Sequence, residues 1–103
     1  MTIPPTVHDN SERHRFEIDL GDGEVAIAAY NLLPGAIRFY HTLVPESHGK
    51  QGLGTALVEA GLAAARERGL KVIPTCAFFR AYLKKHPREQ DIVDPDYLYL
   101  LRE

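Results

Sequence analysis

The stretch "SHGKQGLGTALVEAGLAAARERG", residues 47–69, changes character halfway along. Its first half carries Gly49, Lys50, Gln51, Gly52, Gly54 and Thr55, and its second half is a run of helix formers. Glycine inside a helix costs about 1 kcal/mol relative to alanine. Glycines just before and just inside a helix start therefore point to a need for bare backbone there. The first N–H groups of a helix have no internal partner, and the helix dipole makes that end positive. Small residues let an anion come close, and a phosphate or diphosphate is the usual guest. A glycine-rich turn that only redirects the chain is the structural alternative. The helix is expected from Gln51 or Gly52 to Arg68. Leu53, Leu57, Ala60 and Ala64 lie at helical spacing on the apolar side, with Ala56 and Ala63 beside them and Gly69 as the cap.

Working outward, "RHRFEIDL" (13–20) alternates, with Phe16, Ile18 and Leu20 on one face and Arg15, Glu17 and Asp19 on the other. That is the pattern of a half-buried strand. "GDG" (21–23) marks a hairpin turn, "EVAIAAYNLL" (24–33) a second strand, "PG" (34–35) another turn, and "AIRFYHTLV" (36–44) a third strand stopped by Pro45. Short turns make these an antiparallel meander. After the helix, "LKVIPTC" (70–76) is apolar without alternation, as expected of a strand covered on both faces. "AFFRAYLKKH" (77–86) reads as a second helix stopped by Pro87. "DYLYLLRE" (96–103) fits either an edge strand or a helical turn. The strand 36–44, the long helix and the strand 70–76 make a β-α-β crossover, whose two strands run parallel. The expected fold is mixed α/β, with an α+β-like antiparallel meander followed by a crossover and a second helix. Residues 1–12 read as a loose leader and 13–103 as one domain.

Composition bounds the function. The 103 residues suffice for one modest core, and a net charge of −2 argues against a large nucleic-acid footprint. The one cysteine, Cys76, excludes an internal disulfide. No apolar run approaches the roughly 20 residues that span a bilayer, and the first ten residues lack a signal-peptide pattern. The expectation is a cytoplasmic protein with no membrane and no nucleic-acid partner. One cysteine and no His-x-x-x-His pair give no expectation of a metal. Two nucleotide motifs also fail. Thr55 and Ala56 stand after Gly54 where a P-loop needs lysine and serine or threonine, and Leu57 stands where the dinucleotide fingerprint needs a third small residue.

"HGKQGLGTALVEAGLAAARERG" resembles the acyl-CoA-binding motif of the GNAT superfamily of N-acetyltransferases, Arg/Gln-x-x-Gly-x-Gly/Ala followed by a long helix. Gly52 and Gly54 match the two small positions; Gly49 departs from the arginine or glutamine found there in the family. "FYHTLVPE" before the motif and "GLKVIPTCAFFRAYLKKHP" after it extend the resemblance to the small stand-alone branch of that superfamily, over roughly 13–93. The resemblance implies acetyl-CoA as cosubstrate and a GNAT-like fold. The diphosphate would rest on 49–55 (Gly49, Lys50, Gln51, Gly52, Leu53, Gly54, Thr55), and the pantetheine arm would run between strands that splay after Leu43–Val44 and Cys76.

Acetyl transfer to an amine needs a neutral amine, a donor for the thioester oxygen and a way to manage the departing thiolate. By strict alternation His41 shares a face with Phe39 and Leu43, and the ordinary imidazole pKa of about 6.5 suits a general base. A histidine packed at a sheet face is the plain alternative. The resemblance places a histidine here near the acetyl group. Cys76 is at the mouth of the opposite strand, beside the start of a helix, an environment that favours thiolate. A small buried hydrophobe is its plain alternative. The resembling branch also carries cysteine here, either to protonate the leaving thiolate or to take the acetyl group with His41 as base. On this reading His41 and Cys76 face each other at the thioester. Phe79 and Tyr82 are candidate walls for the coenzyme arm, or else a helix face packed on the sheet. Lys84, Lys85 or Arg88 is a candidate for the 3′-phosphate, or part of a solvated run. His48 borders the loop. The acceptor is an unidentified amine, and the protein is expected as a monomer or weak homodimer. The rival functions are a coenzyme-binding sensor without transfer and an interaction protein using 96–103 as a sticky edge.

Overall fold

The computed structural model describes residues 6–49 and 51–102. Five strands form one sheet in chain order: β1 (His8–Asn10), β2 (Arg15–Asp19), β3 (Val25–Leu33), β4 (Ala36–Leu43) and β5 (Lys71–Pro74). The first four are antiparallel neighbours; β4 and β5 are parallel, joined by α1 (Leu53–Glu67). A second helix, α2 (Ala77–Lys85), follows β5, then two 3-10 helices, Pro87–Ile92 and Pro95–Leu101. The meander and crossover expected from the sequence are thus present.

Alternation places Phe16, Ile18, Ala26, Ala28, Tyr30, Ile37 and Phe39 in the buried core with Leu57, Val58 and Leu62 of α1 and Phe79 and Leu83 of α2. Phe39 and Phe79 stack at 4.1 Å between centroids. This stack sets the rotation of α1. A Cβ on Gly61 would lie 2.8 Å from Phe39 Cζ and 3.2 Å from Phe79 Cζ. The helix therefore turns Gly61, Leu62 and Ala65 to the core, and the expected Ala60 and Ala64 are only half-buried, with Ala63 exposed.

Two sequence expectations are corrected, and one choice left open is decided. First, His8–Asn10, read as part of a loose leader, pairs with β2; residues 1–5 of that leader lie outside the described residues. The strand has little apolar character, and polar contacts hold it. Asp9 accepts from the Tyr30 hydroxyl at 2.7 Å and pairs with Arg68 at 2.6 Å. Burial, then the Asp9 carboxylate, push the Tyr30 phenol up to about 12. Second, Glu17, assigned to a solvated face, is buried under β1. Burial pushes its carboxyl up. Hydrogen bonds from Arg15 and Asn10, with the charges of Arg15 and His8, outweigh that and hold it below the usual carboxylate range. Third, residues 95–101 are helical: Asp94 accepts from Asp96 N at 3.0 Å as an N-cap and Pro95 fits the first helical position. Leu98 and Leu101 pack against the core, so this segment offers no strand edge for another chain.

Candidate active site

The site is a fork between β4 and β5. Their ladder runs from Ala36↔Lys71 to Phe39↔Pro74 and stops there. Two residues cause the stop. Pro74 has no N–H to extend the ladder. Opposite it, β4 carries a bulge: Tyr30 pairs with Phe39 but Ala29 pairs with His41, so Tyr40 is an extra residue. Bulges bend a strand and strengthen its twist. The Phe39 carbonyl is held by Cys76 N at 3.0 Å and Thr75 Oγ1 at 3.1 Å. Beyond it β4 continues to Leu43 paired with β3. Its other edge has no β5 partner among the described residues.

The bulge also reverses the phase of alternation, and this corrects the expected pairing of His41 with Cys76. Ile37 and Phe39 are buried, but after Tyr40 it is Thr42, paired with the buried Ala28, that faces the helices. Thr42 Oγ1 lies 3.0 Å from Cys76 Sγ. His41 and Leu43 are exposed on the opposite face. Cys76 itself is a buried free thiol at the N-cap of α2, its carbonyl accepting from Arg80 N at 3.0 Å. Position and helix start are as expected; its side-chain partner is the threonine.

The glycine loop leads into α1 as expected. A 3-10 turn, Glu46–His48, precedes Gly49, and Gly52 is the N-cap at φ +74°, a left-handed conformation that favours glycine. The first intrahelical bond is Ala56 N to Gly52 O at 3.0 Å. The N–H groups of Leu53, Gly54 and Thr55 precede that bond and have no helical partner by geometry. Among the described residues no side chain caps this end, and its first turn carries no acid. Gly54 answers a different need: a Cβ there would lie 2.5 Å from Phe78 Cε1. Lys50 lies outside the described residues.

A groove of about 440 Å³ opens along this start, lined by Val44, Glu46, His48, Gly49, Gly52, Leu53, Gly54, Thr55 and Phe78. A second groove of about 320 Å³ shares Gly54, Thr55 and Phe78 and continues between the helices past Val58, Glu59, Ala81, Tyr82, Lys85 and His86. Of the expected wall residues, Tyr82 lines this channel, stacked on His86 at 4.0 Å with its hydroxyl donating to Glu59 at 3.1 Å. Burial, then that hydrogen bond, raise its phenol. Phe79 does not line it, being fully buried on Phe39; its neighbour Phe78 does. Lys84 is exposed outside both linings, and Lys85 takes the groove position. Gln51 is exposed beside the loop and lines a shallower cleft with His48. Two consecutive phenylalanines and two consecutive lysines gave no way to choose between neighbours from the sequence.

The loop is clamped from the side. His48 Nε2 lies 2.8 Å from Asp22 Oδ2, and Ser47 Oγ donates to Glu24 at 2.8 Å, so the β2–β3 turn grips the residues before Gly49. The bond to Asp22 raises the His48 pKa; the same bond lowers that of Asp22. Asp22, Glu24 and His48 also hold ligand atoms within 4.8 Å of one another, with His48 already committed to its partner. Among the described residues, no helix is long and apolar enough to cross a membrane.

Residues 15–92 match the family model described as GCN5-related N-acetyl-transferase. The solution structure of a GCN5-like protein from Staphylococcus aureus is similar at a TM-score of 0.67 and 30% identity, over 86% of this chain and 87% of that one. No curated protein matches the sequence. The family match spans well over half the chain and includes the fork, the loop and both helices: the chain belongs to the GCN5-related N-acetyltransferase family and is an enzyme of acyl transfer with that family's mixed α/β fold.

Proposed function

We propose that the protein moves an acetyl group from acetyl-CoA to a primary amine. The observation that carries this reading is the continuity of the groove. It begins at the uncapped start of α1, where Gly52, Leu53, Gly54 and Thr55 offer backbone to a diphosphate, and it reaches Val44 and Phe78 at the fork. Thr42 and Cys76 stand two residues further in along the same two segments and touch each other. The free edge of β4 beyond Phe39 suits the amide groups of a pantetheine arm. Tyr82 and Lys85 lie where the groove continues, and a cation there complements a phosphate.

In the reaction the amine nitrogen bonds to the acetyl carbon, the carbon–sulfur bond of the thioester breaks, the coenzyme leaves as thiolate, and the amine loses a proton. Cys76 serves either as proton donor to that thiolate or as an intermediate acetyl carrier. In the second case its sulfur bonds to the acetyl carbon first and releases the coenzyme before the amine attacks. His41, exposed on the other face of β4, is assigned to the acceptor side as the base that takes the amine's proton.

Calorimetry with acetyl-CoA, followed by thiol release over an amine panel, tests the reading. Saturable binding with amine-dependent release is expected. Binding without release from any amine supports a coenzyme sensor instead, and millimolar acetyl-CoA without heat overturns the assignment. Intact mass after incubation with acetyl-CoA separates the two roles of Cys76, because only the carrier gains an acetyl group.

A further inference from the structure

We propose that Thr42 is the positioning residue for the sulfur of Cys76, its hydroxyl holding the buried thiol two residues behind Val44 and Phe78 of the groove lining and donating to the thiolate that reacts there. The proposal rests on the reading that the thioester reaches Cys76. Three features converge on it.

The first is the contact, 3.0 Å between Thr42 Oγ1 and Cys76 Sγ across 34 residues of sequence. The second is the bulge that makes it. Unbroken alternation from Ile37 and Phe39 would turn residues 41 and 43 inward; the extra Tyr40 delivers residue 42, a hydroxyl, in place of the imidazole. The third is burial. Cys76 is 6% exposed, so water has little access to its sulfur, and a charge formed there needs a donor from the protein.

A hydroxyl suits both states of the sulfur, accepting from the thiol and donating to the thiolate, without titrating itself. Threonine is also stiff about its first side-chain torsion, so its oxygen is held in place. The arginines of the flanking elements are engaged with Thr75. Arg80 of α2 donates to the Thr75 carbonyl at 2.6 Å, and Arg38 of β4 donates to Thr75 Oγ1 at 3.2 Å. His41 is on the opposite face, and α1 supplies the apolar Leu53, Leu57 and Val58 to the core cluster that includes Cys76.

The test is the pH–rate profile for alkylation of Cys76, the one cysteine in the chain, by iodoacetamide without coenzyme. Thr42→Val keeps the shape and removes the hydroxyl; Thr42→Ser keeps the hydroxyl. Thr42→Val is expected to move the midpoint up by about one pH unit and to slow alkylation below it about tenfold, while Thr42→Ser stays near wild type. Far-ultraviolet circular dichroism accompanies each profile; if Thr42→Val does not fold, Thr42→Ala replaces it with the same expectation. Superimposable profiles for wild type and the variant lacking the hydroxyl overturn the proposal in favour of packing alone. So does a wild-type thiol that reacts only in denaturant. A calorimetric titration with acetyl-CoA runs separately: absence of heat there sinks the coenzyme reading while the alkylation result still decides the role of Thr42.

Discussion

Strand β4 is two strands in one. Its first half, Ile37–Phe39, has β3 on one side and β5 on the other, and Ile37 and Phe39 are fully buried. Its second half, His41–Leu43, has only β3 among the described residues, and two of its three side chains are exposed. The boundary is one extra residue, Tyr40, opposite one proline, Pro74. The same backbone is sealed on one side of that boundary and open on the other. Stability should therefore concentrate before Tyr40 and chemistry after it, and substitutions on the two sides should separate the two properties.

The largest expected effect is on the sealed side. Phe39 stacks on Phe79 and touches the rings of Phe16 and Tyr30, so Phe39→Ala should cost about 3–5 kcal/mol in a urea melt. A loss near that of a surface substitution would break the division at once. Next comes the seat of that ring. Gly61→Val places carbon within contact distance of Phe39 and Phe79, and overpacking should destabilise by about 1–3 kcal/mol. An unchanged melt would mean that α1 is not locked by the aromatic stack.

The pH dependence of the loop clamp sharpens the open side. His48 is raised from its ordinary 6.5, so its contribution is complete below that value and fades as pH rises through its folded pKa. Asp22 is lowered from 3.8, so its contribution is present above that value and fades as pH falls through its folded pKa. The difference in thermal midpoint between wild type and His48→Asn should therefore be widest between those limits and vanish at alkaline pH. A difference that grows with alkalinity would contradict the ion pair. Smallest of all, Leu43→Ala on the exposed face should change stability by no more than about 0.5 kcal/mol, measured by the same melts.

The meander, the crossover and the glycine-led helix were legible because period-2 and period-3.6 patterns are strong there and turn residues stand between them. The bulge was not. In "AIRFYHTLV" every residue suits a strand in either phase, and no glycine marks the extra residue. The shift comes from the pairing with β3, a tertiary fact. That single displaced phase is why the sequence alone pairs His41, and not Thr42, with Cys76. The expectation of Phe79 rather than Phe78 at the groove failed for a related reason: adjacent rings differ only by helix rotation, which Gly61 and Phe39 set from another element. Strand β1 has no apolar signal to read, being held by Asp9, Asn10 and His8. The helix at 95–101 did leave a trace, the Asp94-Pro95 pair of cap and first-turn proline, which the apolar run after it obscured.

The Asp9 carboxylate, shared between the sealed Tyr30 hydroxyl and Arg68, makes the beginning of the chain matter for anyone shortening it. Trimming the protein past Asn10 would look harmless by hydropathy, yet it removes the acceptor of the buried Tyr30 hydroxyl and strips Glu17 of two partners. A typical net loss is about 0.5–1.5 kcal/mol for each hydrogen bond removed, so an expression vector that starts at residue 11 should yield a less heat-resistant product than one that starts at residue 6.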